Sequence, residues 1–149
     1  MLIIIPGTPM PKQSDRTRAI KKKNGQIYIL HYQPKEIIDE VERIRKIVRN
    51  LLPFDFRPVT TPIHVTKLHY IFPIPQSFTK KQIDYIKSGG IIEKSTKPDV
   101  TDNLNKLLFD ALENIVYVND SLITRMNDVA KYYGIEPKII LELDLSPNI

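Results

Sequence analysis

Ile37, Val41, Ile44, Val48 and Leu51 recur at spacings of four, three, four and three, the period of one face of an α-helix. Pro34 suits the first turn of such a helix and Pro53 lies just past its end. The pattern therefore predicts a helix over Lys35–Leu52, with Glu36, Glu40, Arg43 and Lys46 on its other face. The runs around it differ in kind. Leu2–Ile5 is short, apolar and mostly β-branched, and Pro6-Gly7 closes it. Gln26–Leu30 follows the tight-turn pair Asn24-Gly25, and Ile63–Phe72 lies between Pro62 and Pro73. All three read as strands. Thr79–Lys87 reads as a short helix, capped by Thr79 and ended by Gly89-Gly90. Ile91–Thr96 is a polar connection, and Asp99–Asn114 is a second long helix. Ser121–Tyr133 and Lys138–Leu145 are two further strands, separated by Gly134 and Pro137 and expected to pair as a hairpin. This order predicts an α+β fold, with helices packed on a small mixed β-sheet. The length of 149 residues suits a single domain over 1–149.

Composition removes several function classes. There is no cysteine, so disulfides, thiolate catalysis, zinc–thiolate sites and iron–sulfur clusters are excluded. His31, His64 and His69 lack the HxH or HExxH spacing of a histidine metal site. No GxSxG, Walker A or GxGxxG pattern occurs, which removes serine-hydrolase and nucleotide-binding readings. Tyr132-Tyr133 has the character of strand packing. The apolar N-terminus is too short for a signal peptide or a membrane span, so a cytoplasmic protein with no membrane partner is expected.

The charge is unevenly spread. The net charge is +5, and the stretch Lys12–Lys23 accounts for all of it. It holds Lys12, Arg16, Arg18, Lys21, Lys22 and Lys23 against Asp15 alone. The stretch is expected to form a basic loop or hairpin arm over about residues 12–25 that contacts phosphates. The alternative is a solvated loop with no ligand.

The segment that carries chemistry runs from Lys97 to Asp120. Its apolar stripe is Leu104, Leu107, Leu108, Ala111, Leu112 and Ile115, at helical spacing. With Leu104 as origin, Asp102, Lys106 and Asp110 fall at about 160°, 200° and 240° around the helix, opposite that stripe. Phe109 falls at about 140°, so this side is expected to be partly covered. Asp120 follows where the chain turns into the next strand. Hard cations such as Mg²⁺ take oxygen ligands and keep several waters, so two or three carboxylates suffice for a site. A metal so held can generate hydroxide and stabilise charge on a phosphodiester, with a lysine nearby to steady the developing anion. Asp99, Asp102, Asp120 and Lys106 supply those parts. The competing reading makes Asp99 a helix cap with Asp102 in a capping-box-like position, and Asp102 and Lys106 an ordinary i,i+4 pair.

The run KPDVTDNLNKLLFDALENIVYVNDSLI resembles the RusA family of Holliday-junction resolvases, common in phages and prophages. The family pattern is an acid, a second acid followed by Asn-Leu, a lysine four residues after that acid, then Asp-Ala-Leu, then an acid before a hydrophobic strand. Asp99, Asp102-Asn103-Leu104, Lys106, Asp110-Ala111-Leu112 and Asp120 match it in turn. The stretch PGTPMPKQSDRTR is similar to the family's proline-rich entry into a basic arm. One departure stands out: the family spaces its first acids Asp-x-Asp-Asn, whereas this chain has Asp-x-x-Asp-Asn, with Thr101 as the extra residue.

The resemblance implies a homodimeric endodeoxyribonuclease that nicks four-way DNA junctions symmetrically in recombination and repair. It implies Mg²⁺ as cofactor, with Mn²⁺ able to substitute, in the cytoplasm of a bacterial or phage-infected cell. By the same resemblance Asp99, Asp102 and Asp120 hold the metal and, with Lys106, form the catalytic set. Asn103 and Asp110 support that set from behind. Lys12, Arg16, Arg18, Lys21 and Lys97 hold DNA phosphates. The alternative is a branched-DNA-binding protein whose altered acid spacing has disabled the metal site.

Overall fold

The structure is a computed structural model that describes residues 1–13 and 15–146. Ser14 of the expected basic arm and the last three residues of the expected domain lie outside the described residues. In chain order the elements are β1 (Leu2–Pro6), β2 (Arg16–Lys21), β3 (Ile27–Tyr32), α1 (Lys35–Leu51), β4 (Ile63–Pro73), α2 (Lys80–Lys87), α3 (Asn103–Leu112), a 3-10 turn (Asp120–Leu122), β5 (Ile123–Met126), β6 (Val129–Gly134) and β7 (Lys138–Asp144). The expected α+β fold with a mixed sheet is the observed one.

β4 is the central strand. β7 runs antiparallel along one edge of it, and β1 runs antiparallel along the far side of β7. On the other edge β5 and β6 lie end to end, both parallel to β4. A parallel return needs a long crossover, and the segment from α2 through α3 supplies it. The sequence predicts one strand over Ser121–Tyr133, pairing with Lys138–Leu145. The structure corrects both points. The strand is broken at Asn127-Asp128, where Asp128 takes φ +47° and Leu68 N donates to the Asp128 carbonyl at 3.0 Å. The Asp128 carboxylate meets His69 Nε2 at 2.9 Å, and His69 Nδ1 meets the Tyr132 hydroxyl at 3.0 Å, which ties the break to β4. The chain then crosses to the other side of β4 instead of folding back, because an apolar central strand needs a partner on each edge.

α1 and α3 pack together on one face of this sheet. Ile37, Ile44 and Val48 of α1 meet Leu104, Leu107, Leu108, Ala111 and Leu112 of α3 in a core that includes Ile3, Ile5, Val65, Leu68, Leu141 and Leu143. Val41 is only partly buried and Leu51 is 55% exposed, so the α1 stripe is narrower than its period predicts. Glu40 is buried beside it and forms a two-point ion pair with Arg43, at 2.8 and 2.9 Å. Arg43 also donates to the Pro6 carbonyl at 2.7 Å, joining α1 to the end of β1. Thr79 caps the start of α2 as expected, and Gln82 adds the reciprocal bond from the Thr79 amide.

β2 and β3 form a separate two-stranded antiparallel hairpin, the arm expected from the basic stretch. Its turn closes through Lys22 N to the Gln26 carbonyl at 2.7 Å, with Gly25 at φ +85°. Gly134, at the end of β6, lies against β4: a Cβ built there would sit 2.5 Å from Ile71 Cγ2. Gly134→Ala is therefore expected to destabilise the chain by about 1–3 kcal/mol through overpacking, read as a lowered thermal midpoint.

Candidate nuclease site

α3 begins later than its apolar period predicts. The sequence places Asp99 inside the helix, whereas the structure starts the helix at Asn103 and leaves Asp99 in the approach. Asp99 Oδ1 accepts from Asp102 N at 3.2 Å and Asn103 N at 2.9 Å. Its Oδ2 accepts from Asn103 Nδ2 at 3.4 Å. Leu104 N reaches back five residues to the Asp99 carbonyl at 3.1 Å, one residue further than a helical bond. The extra residue Thr101 is thus absorbed as a widened first turn, with Asp99 satisfying its orphan amides. Asp102 stands at the helix start without making a side-chain cap bond, and it is exposed. The reciprocal capping box does not form.

The loop before this turn is held from β6. Lys131 Nζ donates to the Thr96 carbonyl at 2.7 Å and the Pro98 carbonyl at 2.8 Å. Tyr70 of β4, fully buried, donates to Asn105 Oδ1 at 2.7 Å. Burial pushes the Tyr70 hydroxyl above the ordinary tyrosine range, so it stays a donor. No local pattern marks Lys131 or Tyr70, because each meets its partner across more than thirty residues of chain.

A second group of acids lies around Tyr117. Tyr117 is fully buried and donates to the Phe109 carbonyl at 2.7 Å. Burial raises its hydroxyl above the ordinary range, and the charges of Asp120, Glu113 and Asp110 raise it further. Asp120 opens the 3-10 turn, and its amide donates to Glu113 Oε1 at 3.0 Å. Glu113 was not singled out by the sequence pattern. Its one available signal was an acid next to the C-terminal end of a helix, where the dipole disfavours negative charge. Tyr117→Phe is expected to destabilise the chain by about 1–3 kcal/mol, by leaving the buried Phe109 carbonyl unsatisfied, measurable by denaturant unfolding.

The remaining residues fall as follows. Lys12 reaches Asp110 with an Nζ–Oδ2 distance of 2.7 Å, and its amide donates to the Asn103 carbonyl at 2.9 Å. Lys12 is therefore tied to α3 instead of projecting from the arm. Arg16, Arg18 and Lys21 are exposed on β2, and Lys97 and Lys106 are exposed near the start of α3. Phe109 is buried, beyond the partial cover expected of it.

The donor chemistry suits Mg²⁺, which prefers carboxylate oxygens. Such a site needs one or two carboxylates beside bound water. Among the described residues no three Asp, Glu or His side chains converge where they could hold a metal ion. Asp102 and Asp110 are separated by about 12 Å along the helix axis, at 1.5 Å per residue. Asp99, Asp102 and Asp120 are not gathered into one centre, and Asp99 is engaged as a cap. Asp99→Ala is expected to lower stability by about 0.5–2 kcal/mol, whereas Asp99→Asn, which keeps an acceptor, is expected to melt close to wild type.

The sequence profile of the endodeoxyribonuclease RusA family matches residues 6–144. The uncharacterized protein YqaN of Bacillus subtilis (strain 168) is 33% identical over 82 residues, which are 54% of this chain and 56% of that protein. The match thus spans about half the length of this curated relative.

Proposed function

The chain belongs to the RusA endodeoxyribonuclease family, and from that premise we propose that it resolves Holliday junctions and related branched DNA by paired nicks. What carries the reading is the match over residues 6–144, and it is supported by Asp102-Asn103-Leu104, Lys106 and Asp120, whose pattern resembles the family's. The substrate argues for a homodimer: two matching cuts on a two-fold junction are most simply made by a two-fold protein. The cofactor proposed is Mg²⁺, with Mn²⁺ as substitute, and the proposed setting is the cytoplasm of a bacterial or phage-infected cell.

Asp102 and Asp120 are the carboxylates assigned to the metal. Asp99 belongs to the same set, but its Oδ1 already accepts two amides, so its contribution is to hold the start of α3 in place. Lys106, one turn beyond Asp102, supplies a cation to steady charge developing on the phosphate. Asn103 and Asp110 support these residues through Asp99 and Lys12 respectively. Arg16, Arg18, Lys21 and Lys97 hold phosphates, with Lys12 joining them if its pair with Asp110 opens. Among the described residues these acids form no group of three, and one or two carboxylates with bound water are enough for Mg²⁺.

The engagement of Asp99 as a cap at the altered acid spacing also favours a second reading: a branched-DNA-binding protein without catalysis. One experiment decides between them. A synthetic four-way junction is incubated with the protein in Mg²⁺, in Mn²⁺ and in EDTA, and the strands are resolved on a denaturing gel. Paired nicks in opposing strands with metal, and none in EDTA, support the nuclease. Binding without cutting in either metal supports the second reading and overturns the first.

A further inference from the structure

The β2–β3 hairpin has two unlike faces. Its register pairs Arg16 with Tyr32, Arg18 with Leu30 and Ile20 with Tyr28, and opposed residues share a face. One face therefore carries Arg16, Arg18, Ile20, Tyr28, Leu30 and Tyr32. Tyr28 and Tyr32 are 42% and 41% exposed, unusual for large aromatics in a strand. The Lys22 ammonium lies 5.3 Å from the centre of the Tyr28 ring. Neither arginine has an acidic partner among the described residues, and the hairpin strands themselves contain no acid.

Aromatic rings interleaved with unpaired arginines on one open surface have a specific chemistry. Arginines hold phosphates in any sequence, and open tyrosine rings offer stacking platforms to bases that have left the helical stack. A second copy of this hairpin packed face to face here would bury arginines with no counter-charge, since its strands contain no acid, which is unfavourable. Intact duplex hides its base faces, whereas a branch point exposes them.

We propose that this face of the hairpin recognises DNA branch points, with Tyr28 and Tyr32 stacking on unstacked bases while Arg16 and Arg18 hold the flanking phosphates. The assignment rests on the branched-DNA reading above and adds the source of its structural selectivity: tyrosines select the branch, and arginines supply affinity for any DNA.

The test is equilibrium binding in EDTA, where no cutting occurs, of a fluorescent four-way junction and a linear duplex of equal length. A second junction carries 2-aminopurine at the branch point. Tyr28→Leu and Tyr32→Leu are each expected to lower junction affinity about tenfold, to leave duplex affinity unchanged and to abolish the wild-type change in 2-aminopurine emission. Tyr28→Phe and Tyr32→Phe, which keep the ring, are expected to bind as wild type, which separates stacking from hairpin stability. Arg16→Gln with Arg18→Gln is expected to weaken both DNAs together and flatten the salt dependence. Equal loss on junction and duplex in the leucine variants, or no loss, overturns the proposal. So does a wild type that shows no preference for the junction, or leucine variants that change sedimentation but not DNA binding, which would assign the face to a second copy of the chain. The two readings fail separately. Tyrosine-dependent junction binding without metal-dependent cutting overturns only the nuclease, and cutting by leucine variants with wild-type junction affinity overturns only this assignment.

Discussion

Asp102→Asn is expected to abolish junction cleavage, with a fall of at least about a hundredfold, since even residues behind a metal's ligands change activity by 10- to 100-fold. DNA binding is expected to stay near wild type. The substitution keeps the side chain's size and removes its charge. Asp102 makes no cap bond at the start of α3 and is exposed, so folding places no demand on its carboxylate. That separates it from Asp99, whose oxygens hold the Asp102 and Asn103 amides and whose loss disturbs the helix start directly. The measurement is single-turnover cleavage of a four-way junction, beside binding of the same junction in EDTA. Full cleavage by Asp102→Asn removes this residue from the site. Loss of binding together with cleavage would show that its charge shapes the DNA surface and not the reaction.

Leu108→Ala is expected to be the most damaging core substitution for the helix that carries the acids. Leu108 is fully buried in the core cluster that holds residues of α1, α3 and the sheet. Truncating such a leucine costs about 2–5 kcal/mol, the spread reflecting how far the cavity collapses. For a chain of this size, that lowers the thermal midpoint by roughly 4–20 °C, taking 2–4 °C per kcal/mol. Leu51→Ala serves as the contrast. It belongs to the same kind of apolar stripe in sequence, yet Leu51 is 55% exposed, and its truncation is expected to change stability by no more than about 0.5 kcal/mol. Thermal unfolding followed by circular dichroism reads both. A small loss at Leu108 would mean that α3 does not depend on this packing.

The contrast between these leucines marks where periodicity stops being informative. A helical period states which face is apolar, but the width of the buried stripe depends on what lies against it. α1 meets α3 and the sheet edge near β1, and Leu51 at its last turn lies beyond both. In the same way α3's stripe was legible while its first residue was not. Thr101 lengthens the approach by one residue, and the choice between extending the helix and widening the turn was made by Asp99's oxygens, with Lys131 holding the loop behind.

The sequence by itself determined the local features of this protein. These are the two helices that form the core layer, the capped α2, and the basic hairpin with its Asn24-Gly25 turn. Each is written in residues a few positions apart, where backbone sterics and side-chain period act directly. Only the tertiary structure decided that β5 and β6 run parallel to β4, that β7 takes its other edge, that Lys12 is tied to Asp110, and that Glu113 holds the Asp120 amide. It also decided that Asp99 caps the start of α3. With the exception of the cap and the Glu113–Asp120 bond, those choices join residues about sixty to a hundred positions apart. Strand period states which face is buried but not which neighbour lies alongside, so the partner is chosen by how the whole core closes.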